Sequence, residues 1–159
     1  MKPNPTAKEQ SLNPARTAQA EITAITSAEP VEELDERILL ALHAASNKKA
    51  IEMVVLDLRE IASFTDFFII ASGANERQVR AIAEGIVEAL KKAGTPAARV
   101  EGHKTAEWIL LDYGDFLVHV FEDKARKFYD LERLWRESKR LTLPSELANE
   151  ATSSLRNES

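Results

Sequence analysis

Apolar residues recur at helical spacing in two stretches of the chain, and each stretch predicts an amphipathic helix. The stripe of the first helix consists of Val31, Leu34, Ile38, Leu42 and Ala45. The stripe of the second helix consists of Val79, Ile82, Ala83, Ile86 and Leu90. We expect the first helix to start near Pro30, because proline is tolerated in a first turn. Asn75 and Gln78 form a capping-box pattern at the start of the second helix, and Gly94 is suited to end it.

Short runs of β-branched and aromatic residues predict about five strands. In chain order the runs are "AIEMVVLDL", "SFTDFFIIASG", "PAARVEG", "AEWILLDYG" and "DFLVHVF". The second run is apolar almost without interruption from Phe67 to Ala71, which is typical of a strand covered on both faces. The last two runs are separated by the Gly114–Asp115 turn, so we expect them to form a hairpin.

The segment "DKARKFYDLERLW" predicts one or two short helices, which gives the element order α-β-β-α-β-β-β-α. Strands joined through a helix pair in parallel, whereas hairpin strands pair antiparallel. We therefore expect an α/β fold in which a mixed β-sheet of about five strands is flanked by helices.

Gly85 inside the second helix costs about 1 kcal/mol of helix stability relative to alanine. We expect that it lets this helix approach the sheet closely.

The length of 159 residues suits one domain. Residues 1–29 are rich in Pro, Ala, Thr and polar residues. They hold too few large apolar residues to offset the loss of chain entropy on folding, so they are predicted to form a disordered tail. We place the folded domain at residues 30–137 and a flexible C-terminal tail at residues 138–159.

Composition and charge narrow the functional classes. The chain has no cysteine, which excludes disulfides, thiolate metal sites and cysteine nucleophiles. Its formal net charge is −5, which favours a partner with a basic surface and predicts little or no direct binding of nucleic acid. No apolar run is long enough for a membrane span, and no secretory signal is visible. We expect a cytoplasmic protein, with an organelle as the minor alternative.

The stretch from Glu101 to Phe121 carries residue types that are common in active sites, but their spacing argues against chemistry. His103 and His119 are sixteen residues apart and form no metal-binding motif with each other or with His43. His119 is therefore interpreted as a hydrogen-bonded structural histidine or a surface histidine. No serine-nucleophile or phosphate-binding motif is present, and no strand carries the D-x-D pair of a metal-dependent phosphotransferase. We expect no catalytic, cofactor or metal site.

Alternation sorts the side chains of "AEWILLDYG" into two faces. One face consists of Trp108, Leu110 and Asp112, and the other of Glu107, Ile109, Leu111 and Tyr113. The pattern alone leaves open which face covers the core. We predict that Ile109 and Leu111 point inward, so that the Trp108 side is available to a partner. Tryptophan is frequent at the centre of protein interfaces, especially where charged groups surround it.

Three segments together resemble the ribosomal silencing factor family, which is also called the Iojap or RsfS family. They are "LDLREIASFTDFFIIASGANERQVRAIAEGI", "VEGHKTAEWILLDYGDFLVHVF" and "ARKFYDLERLW". The resemblance runs from about Glu33 to Trp135, the whole predicted domain apart from its ends. It is specific, because the patterns SGxxxRQ, EGxxxAEW, DYGD and RKFYDLERLW occur in the same order and spacing.

The resemblance implies a nucleotidyltransferase-like fold without enzymatic activity. It implies that the protein binds the large ribosomal subunit through ribosomal protein L-fourteen and sterically blocks association with the small subunit when nutrients are short. It also implies a homodimer away from the ribosome. Matching motif positions carry a partner-binding role over to Trp108, Asp112 and Asp115. From their predicted placement we add Leu110, Tyr129 and Glu132.

Two other functions remain open from the residues. The chain could be an assembly factor or adaptor that uses the same face on the large subunit. It could also be a metal-dependent nucleotidyltransferase that uses the acidic hairpin together with His103 or His119.

Overall fold

A mixed six-stranded sheet lies at the centre of the computed structural model, which describes residues 34–148. The strands are β1 (Ile51–Asp57), β2 (Phe67–Gly73), β3 (Arg99–Glu101), β4 (Trp108–Asp112), β5 (Phe116–Glu122) and β6 (Lys139–Leu141). The helices are α1 (Glu36–Asn47), α2 (Glu76–Lys92), α3 (Asp123–Tyr129) and α4 (Leu131–Leu134). No helix within these residues is long and apolar enough to cross a membrane.

The strand order across the sheet is β3-β4-β5-β2-β1-β6. β2 and β5 form the parallel pair, and every other neighbouring pair is antiparallel. The prediction of a mixed sheet flanked by helices is confirmed, and so is the hairpin of β4 and β5 around Gly114.

The sixth strand corrects the expected domain boundary. We assigned residues 138–159 to a flexible tail, but Lys139–Leu141 pairs antiparallel with β1 at the edge of the sheet. Leu141 and Leu147 are buried against the main core. A three-residue strand with one buried side chain has no periodic signal, which is why the sequence pattern missed it. The predicted tail at residues 1–29 and the end of the chain from residue 149 lie outside the described residues.

The start of α1 also differs from the sequence interpretation. The helix begins at Glu36, and the carboxylate of Asp35 caps it by accepting a hydrogen bond from the backbone N–H of Arg37 at 2.7 Å. Pro30, near which we expected the helix to begin, lies outside the described residues.

The main core fills the space between α1, α2 and one face of the sheet. The five residues of the predicted α2 stripe are all buried there, and Asn75 caps the helix through the N–H of Gln78 as expected. Gln78 accepts in return from the N–H of Ala74, one residue before the cap. Two helices, α1 and α2, therefore cover this face of the sheet.

A second, smaller cluster covers the opposite face. It consists of Leu56, Leu58, Phe68, Ile70, Phe121 and Ala125, with Trp108, Leu131 and Trp135 packed against it. α3 and α4 lie over this cluster. In β2, Ile69 and Ala71 belong to the main core while Phe68 and Ile70 belong to the second cluster. The prediction that this strand is covered on both faces is confirmed.

Gly85 has a different neighbour from the one predicted. A Cβ atom at this position would lie 3.3 Å from side-chain carbons of Lys48 and 3.8 Å from the carbonyl oxygen of Ala44. Both residues are next to or within α1, so the glycine permits close approach of the two helices and not of α2 to the sheet.

Gly102 fixes the backbone immediately after β3, where the chain passes close to the start of β4. Its φ of +86° is strained for any side chain, and a Cβ atom there would collide with the backbone carbonyl of Trp108. Gly94 has a similar φ of +91° but has open space around it. An alanine at Gly94 would therefore cost only backbone strain, whereas an alanine at Gly102 would cost backbone strain and a steric collision.

We expect Gly102→Ala to lower the free energy of unfolding by more than about 3 kcal/mol, and Gly94→Ala to lower it by about 1 kcal/mol. Urea unfolding followed by circular dichroism measures both values. Equal losses for the two variants would show that the close approach of residue 102 to Trp108 does not constrain the fold.

Candidate functional site

The alternation of β4 places its side chains as predicted. Ile109 and Leu111 are fully buried in the main core, whereas Trp108, Leu110 and Asp112 are half-buried on the other face of the sheet. The side on which we predicted a partner surface is thus the side covered by the second cluster. Trp108 does not stand free on this surface, because other aromatic rings pack around it.

The indole of Trp108 is held by a buried histidine. Trp108 Nε1 donates a hydrogen bond to His119 Nδ1 at 3.0 Å, across the β4–β5 pair. His119 is buried and packs edge-on against the ring of Phe68 at 4.4 Å between centroids. Burial lowers the pKa of His119 to about 4, so the imidazole is neutral at neutral pH and its Nδ1 can accept the indole proton. Of the two interpretations left open for His119, the structure shows the hydrogen-bonded structural histidine and not the surface histidine.

Tyr129 covers the outer side of the same indole. The ring centroids of Trp108 and Tyr129 are 4.9 Å apart, and the Phe121 ring lies at the same distance from Trp108 on the sheet. Tyr129 is 46% exposed, and its neighbour Phe128 is 81% exposed. We call the surface formed by Trp108, Leu110, Phe128 and Tyr129 the Trp108 face. A fixed set of partly exposed rings of this kind is suited to binding another surface.

Asp112 and Asp115 lie at the far end of the hairpin. Asp112 is four strand residues from Trp108, which corresponds to about 13 Å. Its carboxylate accepts a hydrogen bond from the N–H of Gly114 at 2.8 Å and lies 3.6 Å from the guanidinium of Arg99. The hydrogen bond from Gly114 to Asp112 therefore stabilises the hairpin turn.

The carboxylate of Asp115 pairs with Arg37 at 2.7 Å, yet its side chain remains 64% exposed. The pairing ties the hairpin turn to the first turn of α1. A carboxylate this exposed can also meet a basic group on a partner. The structure thus brings Trp108 and Tyr129 together and leaves the two aspartates as a separate acidic end.

Glu132 is engaged by two arginines. Its oxygens accept hydrogen bonds from Arg126 at 3.0 and 3.1 Å and from Arg140 at 2.7 Å. Burial alone would raise the pKa of Glu132, but the hydrogen bonds from Arg126 and the charges of Arg126 and Arg140 outweigh it, and the pKa is lowered. Arg126 is buried and also donates to the hydroxyl of Ser72 at 2.8 Å. This network fixes α3 and α4 on the sheet and links them to β6.

The sequence pattern did not predict the part that Arg126 and Ser72 play in this network. An arginine in a short amphipathic helix is normally exposed. The only signal in the sequence is the position of Arg126 at the start of the RKFYDLERLW pattern.

The two remaining histidines each contact a different carboxylate. His103 Nε2 is 2.8 Å from a carboxylate oxygen of Glu84, while His43 Nε2 is 3.6 Å from one of Glu146. Within residues 34–148, no group of three His, Asp or Glu side chains is arranged to hold a metal ion.

Asp57, the last residue of β1, is held by Arg59 two residues later. The carboxylate of Asp57 accepts hydrogen bonds from the backbone and side chain of Arg59, with the closest contact at 2.7 Å. The hydrogen bond from the Arg59 side chain is the main cause of the lowered pKa of Asp57. The Arg59 guanidinium in turn lies over the ring of Phe67. This carboxylate therefore ends a strand and holds a turn.

Comparison with known proteins gives a family match over most of the chain. Residues 31–159 match the family described as ribosomal silencing factor during starvation. The ribosomal silencing factor RsfS of Halalkalibacterium halodurans is 40% identical over 103 residues, which cover 65% of this chain and 88% of that protein. A crystal structure of a protein from Chromobacterium violaceum superposes with a TM-score of 0.63 at 36% identity, covering 70% of this chain and 90% of the other.

A more distant relative comes from an animal. The mouse protein named mitochondrial assembly of ribosomal large subunit protein 1 is 28% identical over 104 residues, which cover 64% of this chain and 45% of that protein. The matched fold thus occurs both alone in small bacterial proteins and as part of longer chains.

The buried imidazole predicts a pH dependence of stability. The unfolded chain binds a proton at His119 near pH 6.5, whereas the folded chain binds it only near pH 4. Between these values the unfolded state binds more protons, so stability falls as the pH falls. At about 1.4 kcal/mol per pH unit, we expect a loss of about 3 kcal/mol across this window.

The His119→Gln variant is the control, since glutamine does not titrate but can still accept a hydrogen bond from Trp108. We expect its free energy of unfolding to change less than that of the wild type between about pH 6.5 and about pH 4.5. Urea unfolding at several pH values measures the two slopes. Identical slopes would contradict the assignment of a neutral, buried His119.

Removing the charge of Glu132 tests the arginine network. We expect Glu132→Gln to lower the free energy of unfolding by about 2 kcal/mol, because Arg126 would remain buried without a full counter-charge. Glu137→Gln is the matched control, since its carboxylate is 81% exposed and 3.9 Å from Arg136. Thermal unfolding compares the two variants, and an equal shift in both would mean that the network does not hold α3 and α4.

Proposed function

The chain belongs to the ribosomal silencing factor family, and we propose on that basis that it represses translation by binding the large ribosomal subunit. We propose that it contacts ribosomal protein L-fourteen. Once bound there, it sterically prevents the small subunit from associating with the large subunit. The observation that carries this proposal is the family match over residues 31–159.

The Trp108 face supports the proposal physically. Trp108 and Tyr129 are aromatic anchors whose positions are fixed before binding, so little side-chain entropy is lost on association. Leu110 extends the apolar surface along β4. Asp112 and Asp115 supply negative charge at one end, which complements a basic ribosomal protein and speeds the encounter. Glu132 contributes indirectly, since it holds the helix pair that carries Tyr129.

A steric blocker needs no chemical step. Its effect depends on occupying a surface that another particle must use, so inhibition follows the fraction of large subunits that are occupied. We propose that the protein acts without catalysis or a cofactor, in the cytoplasm or, as the alternative, in an organelle. Away from the ribosome it would form a homodimer.

The name of the mouse relative favours a second candidate function, an assembly factor on the large subunit. The same face would then act on precursor particles. Sucrose-gradient fractionation of a native lysate separates the two, because a silencing factor should accompany mature large subunits and an assembly factor their precursors.

Truncating the exposed anchor tests the proposed site. We expect Tyr129→Ala to weaken co-sedimentation with purified large subunits by about thirtyfold, the effect of a typical interface anchor worth about 2 kcal/mol. The matched control is Val100→Ala, which truncates a similarly exposed side chain (41%) on the edge strand β3. Unchanged binding by a folded Tyr129→Ala protein, or equal weakening in the control, would show that the Trp108 face is not the contact.

A further inference from the structure

The negative charge of the chain is not evenly distributed. Residues 123–140, which span α3, α4 and the start of β6, hold seven Lys and Arg against four Asp and Glu. The whole chain holds 21 basic and 26 acidic residues, so the remainder carries a larger excess of acid. Six of the seven basic residues in this segment are exposed, whereas Glu137 is its only exposed acid. One side of the Trp108 face is therefore basic although the protein is acidic.

The basic residues gather around exposed aromatic rings. An open cleft of about 610 Å³ lies between the end of α3 and the residues after α4. Its side chains include Lys127, Phe128, Tyr129, Arg133, Leu134 and Arg136. Lys127 pairs with Asp123 at 3.2 Å and Arg136 approaches Glu137 only to 3.9 Å. Arg133 makes no ion pair with any residue of the described range 34–148.

We propose that this cleft, which we call the basic cleft, binds the phosphate backbone and bases of RNA on the large subunit beside the protein contact. We infer RNA as the partner from the charge and the shape of the basic cleft. Clustered Arg and Lys side chains neutralise phosphates, and arginine offers a planar fork that fits them. Exposed rings such as Phe128 give unpaired bases a surface on which to stack. An acidic protein would satisfy the charges but would not require rings that are this exposed.

The position of the cleft supports the same partner. Tyr129 belongs both to the Trp108 face and to the lining of the basic cleft, since its ring contacts Trp108 on one side and Phe128 on the other. A particle made of protein and RNA would meet the two surfaces together. The net charge of the chain predicted little binding of nucleic acid, and the separation of charge in the folded domain is what reverses that expectation.

The inference rests on the proposed function for its location on the ribosome, but RNA binding can be measured alone. Fluorescence anisotropy of the full chain with a labelled single-stranded oligouridylate provides the affinity and its dependence on salt. The test variant is Arg133→Glu with Arg136→Glu. The control is Lys91→Glu with Lys92→Glu, which makes the same charge change at exposed positions of α2, away from the cleft.

We expect the arginine variant to bind the RNA at least tenfold more weakly and with a flatter salt dependence, and the lysine variant to bind within about twofold of the wild type. Phe128→Ala should weaken binding without flattening the salt dependence, because stacking releases no counterions. Circular dichroism confirms that each variant is folded. Equal weakening by both charge pairs, no RNA binding by the wild type, or tighter binding of a polyglutamate peptide than of RNA would each overturn the inference.

Co-sedimentation with large subunits separates this outcome from that of the proposed function. If the wild type sediments with subunits but does not bind RNA, the basic cleft is wrongly assigned and the silencing role stands. If it binds RNA but not subunits, the silencing role fails while the cleft remains an RNA-binding surface.

Discussion

Within residues 34–148, α1 and α2 cover one face of the sheet, whereas two short helices and a layer of aromatic rings exclude water from the other face. The hydrogen bond from Trp108 to His119 lies at the centre of that layer. It satisfies the polar atom of a half-buried indole and sets the orientation of the ring, while Tyr129 packs over the outer side. Because the short helices cannot cover the sheet completely, the same rings that complete the second cluster remain partly exposed. Stability and the binding proposed above therefore depend on the same side chains.

The carboxylates of Asp57, Asp112 and Asp115 each accept a hydrogen bond, from Arg59, the N–H of Gly114 and Arg37 respectively. Glu132 compensates the buried charge of Arg126 and so holds the helices that carry the exposed rings. Acidic groups at the hairpin turn and basic groups at the cleft give the surface two ends of opposite charge, which is a basis for orienting it on a composite partner.

Periodic segments of the fold could be predicted from the sequence, and contacts between distant segments could not. The stripe of α2 and the alternation of β4 each repeat a pattern, so their inward sides were recognisable. Lys139–Leu141 has no such repeat, and only its pairing with β1 makes it a strand. Alternation assigned Trp108 to a face but carried no information about Tyr129, which reaches it from twenty-one residues away. Net charge likewise describes the chain and not the grouping of Lys127, Arg133 and Arg136 around one cleft.

Under the proposed function, occupancy of the large subunit by this protein is enough to keep the small subunit away. Light scattering of purified subunits, mixed at a magnesium concentration that favours association, measures this directly as the protein is titrated in. We expect subunit association to fall in proportion to occupancy and to be abolished near one protein per large subunit. Full association of subunits that carry the bound protein would contradict it.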